Sequence, residues 1–221
     1  MAGIKGVTGR KKDPVRTAQT REDLLRASYD LFSRKGIESV SMEEAAKAAG
    51  YGVATLYRYY GTKPKLVVAV ASWKWSEFLT ADREDRHRRN VPGMSAAERY
   101  GVFLDTFIKL YRNNKDLLRF NQFFNLYIGS AKIDAETLGP YSRLLGGLEG
   151  EFFDIYAKAQ TDRTLRTDVP KEIMFSTTLH LMMAAATRYA AGLVYRTGGE
   201  TDEMNELNTL KNALLREYTA E

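Results

Sequence analysis

Cysteine is absent from the 221 residues. That excludes a disulfide framework and any thiolate-bound metal. Histidine is scarce: His87 sits in a charged run and His180 inside an apolar segment. Neither has a partner at metal-ligand spacing, and there is no Walker or dinucleotide glycine loop. No catalytic residue, metal or cofactor is therefore expected. Long hydrophobic runs are missing too. The most apolar stretch, 173–195, is interrupted by His180 and Arg188 and reads as a buried helix–helix interface rather than a membrane span. The first twenty residues are polar and basic, without the apolar core of a secretory signal. These absences lead to the expectation of a cytoplasmic protein that is neither an enzyme nor a membrane protein.

What remains is a chain with 44% hydrophobic residues, enough for a real core. Its charge is unevenly placed. Residues 1–65 hold 13 Lys and Arg against 7 Asp and Glu, whereas residues 66–221 hold 20 against 21. A basic front on a near-neutral body fits contact with a polyanion at the front, and it also fits a solvated basic tail. Residues 1–16, with Lys5, Arg10, Lys11, Lys12 and Arg16, read as a flexible basic arm broken by Pro14.

From about Thr17, Leu24, Leu25, Ser28, Leu31 and Phe32 recur at helical spacing up to Gly36. Ser41 and Glu44 then form a capping box, and Ala45, Ala46 and Ala49 give a small packing face before Gly50. A short helix from about Gly52 to Tyr59 follows. Leu56 and Tyr60 are expected to point inward, leaving Thr55, Tyr57, Arg58 and Tyr59 largely on the surface. No acid occurs between Glu44 and Glu77. A face of hydroxyl, phenol and guanidinium groups suits phosphates and base edges, although tyrosines also serve as packing residues. Thr62 reads as the cap of a fourth helix with Pro64 in its first turn. Lys63 and Lys65 crowd its positive dipole end, an arrangement a docked phosphate would relieve.

Residues 21–66 resemble the N-terminal domain of the TetR family of bacterial transcriptional regulators. The chain reads S-M-E-E-A-A-K-A-A-G-Y-G, then A-T-L-Y-R-Y-Y, then T-K-P-K-L. The resemblance places DNA contacts on Ser41, Met42, Val53, Ala54, Thr55, Tyr57, Arg58, Tyr59 and Lys63. Gly52 stands where the family usually has a capping Ser, Ala54 where it has Gly, and Tyr51 where it has Val. Polar base readout then falls mainly to Arg58 and Tyr59.

The rest of the chain continues in helical patterns to the C-terminus, giving an all-α fold of about nine helices. Its expected organisation is a basic arm (1–16), a three-helix domain with a helix-turn-helix (17–65) and a larger ligand-binding and dimerisation domain (66–221). Aromatic residues are dense here. Phe120, Phe123, Phe124 and Tyr127 form a stripe interleaved with Asn121, Gln122 and Asn125. Such a stripe fits a core, and it also fits an apolar pocket with a few polar groups. The helix at about 140–159 carries Gly146, Gly147 and Gly150, which suits close packing, a kink or room for a ligand. The resemblance implies an inducer site among helices four to seven. Its candidate lining is Trp73, Phe103, Phe107, Phe120, Phe124, Tyr127, Phe152 and His180. A hydrophobic or aromatic effector is expected.

Two amphipathic helices close the chain, one from Pro170 to about Arg196 and one from about Asp202 to Tyr218, with Gly198 and Gly199 between them. Their stripes carry Leu179, Met183, Ala186, Ala190, Leu207, Leu210 and Leu214. These residues suit an intrachain core. By resemblance they form a four-helix interface with a second copy, which would set two recognition helices on a palindromic operator in double-stranded DNA. The expected function is a homodimeric repressor released from DNA by a small molecule. A helical adaptor that binds protein, with the basic front serving solubility, is the competing reading.

Overall fold

The computed structural model describes residues 14–89, 91–194 and 202–220. The basic arm, apart from its last three residues, and Gly198–Gly199 lie outside the described residues. Nine α-helices are present among those described. They are α1 (Pro14–Lys35), α2 (Met42–Ala48), α3 (Val53–Tyr60), α4 (Lys63–Arg88), α5 (Ala96–Asn113), α6 (Lys115–Ser130), α7 (Ala135–Asp162), α8 (Lys171–Ala190) and α9 (Glu203–Tyr218). A single 3-10 turn, Val91–Gly93, joins α4 to α5 where Pro92 and Gly93 predict a break. The fold is all-α, as the periodicities predict.

Helix boundaries follow local chemistry. Ser41 accepts a hydrogen bond from the Glu44 backbone N–H at 3.1 Å, and the Glu44 carboxylate accepts one from the Ser41 N–H at 3.0 Å. Ser95 and Glu98 repeat this reciprocal cap on α5. Asp134 caps α7 and Asp202 caps α9. Three helices differ from the sequence expectation: α7, expected at about 140–159, starts at Ala135 because Asp134 supplies its cap, with Pro140 inside it. α1 starts at Pro14 rather than Thr17, because proline's fixed φ suits a first helical position. α8 stops at Ala190 rather than near Arg196, because Gly192 takes a left-handed φ of +72°.

α1 to α3 and the first turns of α4 build a small unit around Leu24, Phe32, Ile37, Val40, Ala45, Leu56 and Leu66, all buried. The expected division at residue 65 falls within the first turn of α4, and the buried cluster continues across it into the body. α6 lies directly against α1. The Tyr29 and Phe120 rings are 5.4 Å apart, and the Tyr29 hydroxyl donates to the Asp116 carboxylate at 2.6 Å. The body packs α4 on α7, α5 across α7, α8 and α9, and α8 on both α6 and α9. Its centre is aromatic: Phe152 contacts Tyr100, Phe103 and Phe175.

α4 connects everything. Its 26 residues span about 39 Å at the usual helical rise. The far half is pinned by buried charge. Asp82, 4% exposed, accepts from the Thr106 hydroxyl at 2.9 Å and pairs with Arg86 and Lys109. Arg83 and Arg86 both reach Glu151 of α7.

Candidate nucleic-acid interface and internal cavity

α2 and α3 are held at a fixed angle by a tight turn. Gly50 has φ +77°, and the Tyr51 N–H donates back to the Ala46 carbonyl at 2.9 Å. A side chain at Gly50 would be strained whatever the space around it. The Tyr51 hydroxyl, at the position where valine was expected, donates to Asp23 of α1 at 2.7 Å. That bond holds the Asp23 carboxyl below its ordinary pKa. Leu56 is fully buried and anchors α3.

The outward face of α3 carries Ala54, Tyr57 and Arg58, all exposed. Tyr57 is 44% exposed and is not packed against the core cluster, unlike Tyr59 and Tyr60. The Arg58 guanidinium lies 5.6 Å from the centre of the Tyr59 ring. Tyr59, Thr55 and Val53 are half-buried. Gly52 caps the helix without a side-chain hydrogen bond, so one N–H in the first turn lacks a side-chain cap. Tyr60 packs inward, as its spacing predicts. Burial pushes its phenol up to about 12, so it stays neutral.

Two residues of the expected contact set are placed differently. Met42 is 5% exposed and belongs to the core with Ala45 and Ala46. The capping geometry sets the phase of α2, and that phase turns the first helical residue inward. Lys63 is half-buried. Its ammonium donates to the Glu38 carbonyl at 3.1 Å and lies 5.9 Å from the Tyr127 ring. Ser41 is exposed. Thr62 caps α4 by accepting from the Lys65 N–H at 3.4 Å. No acid occurs in the chain between Glu44 and Glu77, although Glu43 and Glu44 are exposed in the first turn of α2.

The body contains a cavity of about 220 Å³ between α4, α5, α6, α7 and α8. Trp75, Phe78, Leu79, Phe107, Leu110 and Tyr141 supply most of its apolar wall. Of the residues expected from sequence, Phe107 and His180 line it. The others are placed elsewhere. Phe103, Phe120, Phe124 and Phe152 are at most 1% exposed and pack in the core. Trp73 faces α1, its ring 6.3 Å from Tyr29, and Tyr127 faces Lys63. Sequence reasoning missed Trp75, Thr106 and Tyr141. Asn121 and Asn125 were the available signal: polar residues beside an aromatic stripe, here turned to the cavity.

The terminal helices also correct an expectation. Ala186, Ala190, Leu207 and Leu214 are buried within this chain, and Leu179 and Met183 line the cavity. Leu210 is half-buried against the core. The outward face of α8 instead carries Ile173, His180, Leu181, Ala184 and Arg188. The larger apolar stripe faced the greater amount of core, as burial energetics require. Among the described residues, no helix is long and apolar enough to cross a membrane.

A helix-turn-helix whose second helix carries no acid and an exposed Tyr57 and Arg58, on a cavity-bearing helical body, defines a DNA-binding regulator. The comparisons with known proteins agree. Residues 24–70 match the family model for bacterial regulatory proteins of the tetR family. The chain is 30% identical over 154 residues to the HTH-type transcriptional regulator SAS2464 of Staphylococcus aureus (strain MSSA476), covering 67% of this chain and 77% of that one. Among solved structures, it is similar to the fatty acid degradation regulator FadR from Bacillus halodurans, with TM-score 0.70, 14% identity, and 93% and 97% of the two chains covered. FadR from Bacillus subtilis in complex with stearoyl-CoA gives 0.69, 14%, 88% and 97%. A regulator from Saccharomonospora viridis in complex with choline gives 0.71, 14%, 92% and 100%. The chain belongs to the TetR family and is a transcriptional regulator with a helix-turn-helix.

Proposed function

We propose that the chain is a cytoplasmic, homodimeric repressor that grips operator DNA through α3 and the start of α4, and that a small molecule in the body cavity releases it. The observation that carries this reading is the course of α4. The helix begins at Lys63 beside the recognition helix. It supplies Trp75, Phe78 and Leu79 to the cavity wall and ends in the Asp82–Arg86–Glu151 network. A ligand pressing on the middle of this rod works between a pinned far end and a DNA-facing near end. The ligand must bind the two arrangements with different affinity, or nothing shifts. The ligands held by the B. subtilis and S. viridis neighbours support a body that takes small molecules.

Tyr57, Arg58 and the hydroxyls of Ser41 and Thr55 would contact the backbone and base edges. Ala54 and Val53 would offer apolar contacts to thymine methyls. The Lys63 ammonium has three protons and uses one on Glu38, so two are available to a phosphate.

A gel-shift series on the DNA upstream of the chain's own gene, run over a range of salt, tests the reading. Tyr57→Ala should weaken binding by about tenfold, the loss of one hydrogen bond to a charged group. Lys63→Ala should also reduce the salt slope by about one. If both variants bind like the parent, the interface lies elsewhere. Equal affinity for operator and random duplex would favour the adaptor reading.

A further inference from the structure

The cavity wall has a chemistry of its own. Its fourteen lining residues include no Asp, Glu, Lys or Arg, and the lone His180 is exposed. Asp82 lies one turn beyond Leu79, but its carboxylate is taken up by Thr106, Arg86 and Lys109. Ionic pairing is therefore not on offer inside. Polar groups without partners are. The Asn121 side chain is 5% exposed, and its Oδ1 makes no hydrogen bond. The Trp75 indole N–H is buried and equally unpaired. The Thr106 hydroxyl has committed its proton to Asp82, so towards the cavity it can only accept.

A buried amide oxygen without a partner is costly unless something supplies the missing donor. No neighbouring side chain here does so. The cavity thus combines an aromatic and aliphatic wall with the Asn121 and Thr106 oxygens as acceptors and the Trp75 indole as an unpaired buried donor, beside the Tyr141 hydroxyl, the Asn125 amide and His180, in a space below the usual range for a drug-sized ligand.

We infer that the cavity selects a small, uncharged, largely apolar molecule bearing a hydroxyl or N–H group that donates to Asn121. The inference rests on reading this cavity as the effector site. An anion such as an acyl-CoA would bring phosphates with no guanidinium or ammonium in the wall to meet them. A quaternary ammonium would find aromatic rings but would leave the Asn121 oxygen without a hydrogen-bond donor.

Calorimetric titration of the full chain with para-cresol and with para-xylene tests it, since the two have one shape and differ by a hydroxyl in place of a methyl. Para-cresol should bind at least about tenfold more tightly, as expected where a site is built to pair a polar group. In Asn121→Leu the gap should narrow to about threefold or less, with xylene binding unchanged or stronger. Equal affinity of the pair for the unaltered chain overturns the inference, and so does tighter binding of para-toluate or choline. Failure of all four to bind overturns it together with the effector-site reading. Cresol binding that leaves DNA affinity unchanged upholds the ligand class and removes only the release mechanism.

Discussion

At the scale of single residues, the helix-turn-helix shows how much a cap and a phase decide. The Ser41–Glu44 box is fully legible in sequence, and the structure forms both of its hydrogen bonds. Met42 was not legible as a core residue. Its neighbour in the motif is an exposed cap, and only the helical phase reveals that the next side chain turns inward with Ala45 and Ala46. Gly52 is the reverse case. Sequence identifies it as a weak cap, and the structure shows α3 starting without a side-chain bond, with open space around the Gly52 Cα. Gly52→Ser should therefore fit without strain, adding a few tenths of a kcal/mol of stability. It would also place a hydroxyl at the helix N-terminus, where phosphates dock. Fluorescence polarisation at fixed salt should show operator affinity rising by about tenfold, the gain of one hydrogen bond to a charged group. Weaker binding would mean that the α3 N-terminus does not approach the backbone.

At the scale of elements, α6 departs furthest from what its sequence advertises. Its aromatic stripe predicts either core or pocket, because both demand apolar surface and periodicity reports only burial. In the structure, one edge of the stripe leaves the body altogether. The Phe123 ring sits 3.5 Å from where a side chain on Gly36 would begin, and Phe120 meets Tyr29. Asn121 and Asn125, on the next face, line the cavity. α6 thus touches both the DNA-binding unit and the cavity, a second route beside α4. A polar tie between α6 and the DNA-binding unit is the charge-assisted bond of the Tyr29 hydroxyl to Asp116; burial, with this bond adding to it, raises the phenol pKa well above its ordinary value. Tyr29→Phe should lower the unfolding free energy by about 1–2 kcal/mol. Asp116→Asn should weaken the same bond, and the double variant should lose clearly less than the sum of the singles. Urea denaturation of the four proteins measures this. Strict additivity would show that the two side chains are not coupled.

For the whole molecule, the question is which surface meets a second copy. The sequence pattern of α8 and α9 pointed to its largest apolar residues, and the fold used most of them for its own core. What remains outside on α8 is Ile173, 54% exposed, and Leu181, 44% exposed, with His180, Ala184 and Arg188 along the same face. Leu126, Leu145 and Leu193 are exposed elsewhere on the body, but Ile173 and Leu181 are two large aliphatic side chains on one face of one helix, which makes them the best-placed anchors for an isologous contact. A charge at the centre of such a contact would be buried without a partner, at a cost of several kcal/mol. Leu181→Glu should accordingly leave the fold intact, since the position is exposed in the single chain, while separating the copies. Sedimentation equilibrium should then report the 25.0 kDa of one chain instead of twice that. Operator affinity should fall by about a hundredfold or more, because two linked half-site contacts become independent ones. A dimeric variant would move the interface away from α8. A monomeric parent that still binds a palindromic site tightly would remove the dimer from the mechanism.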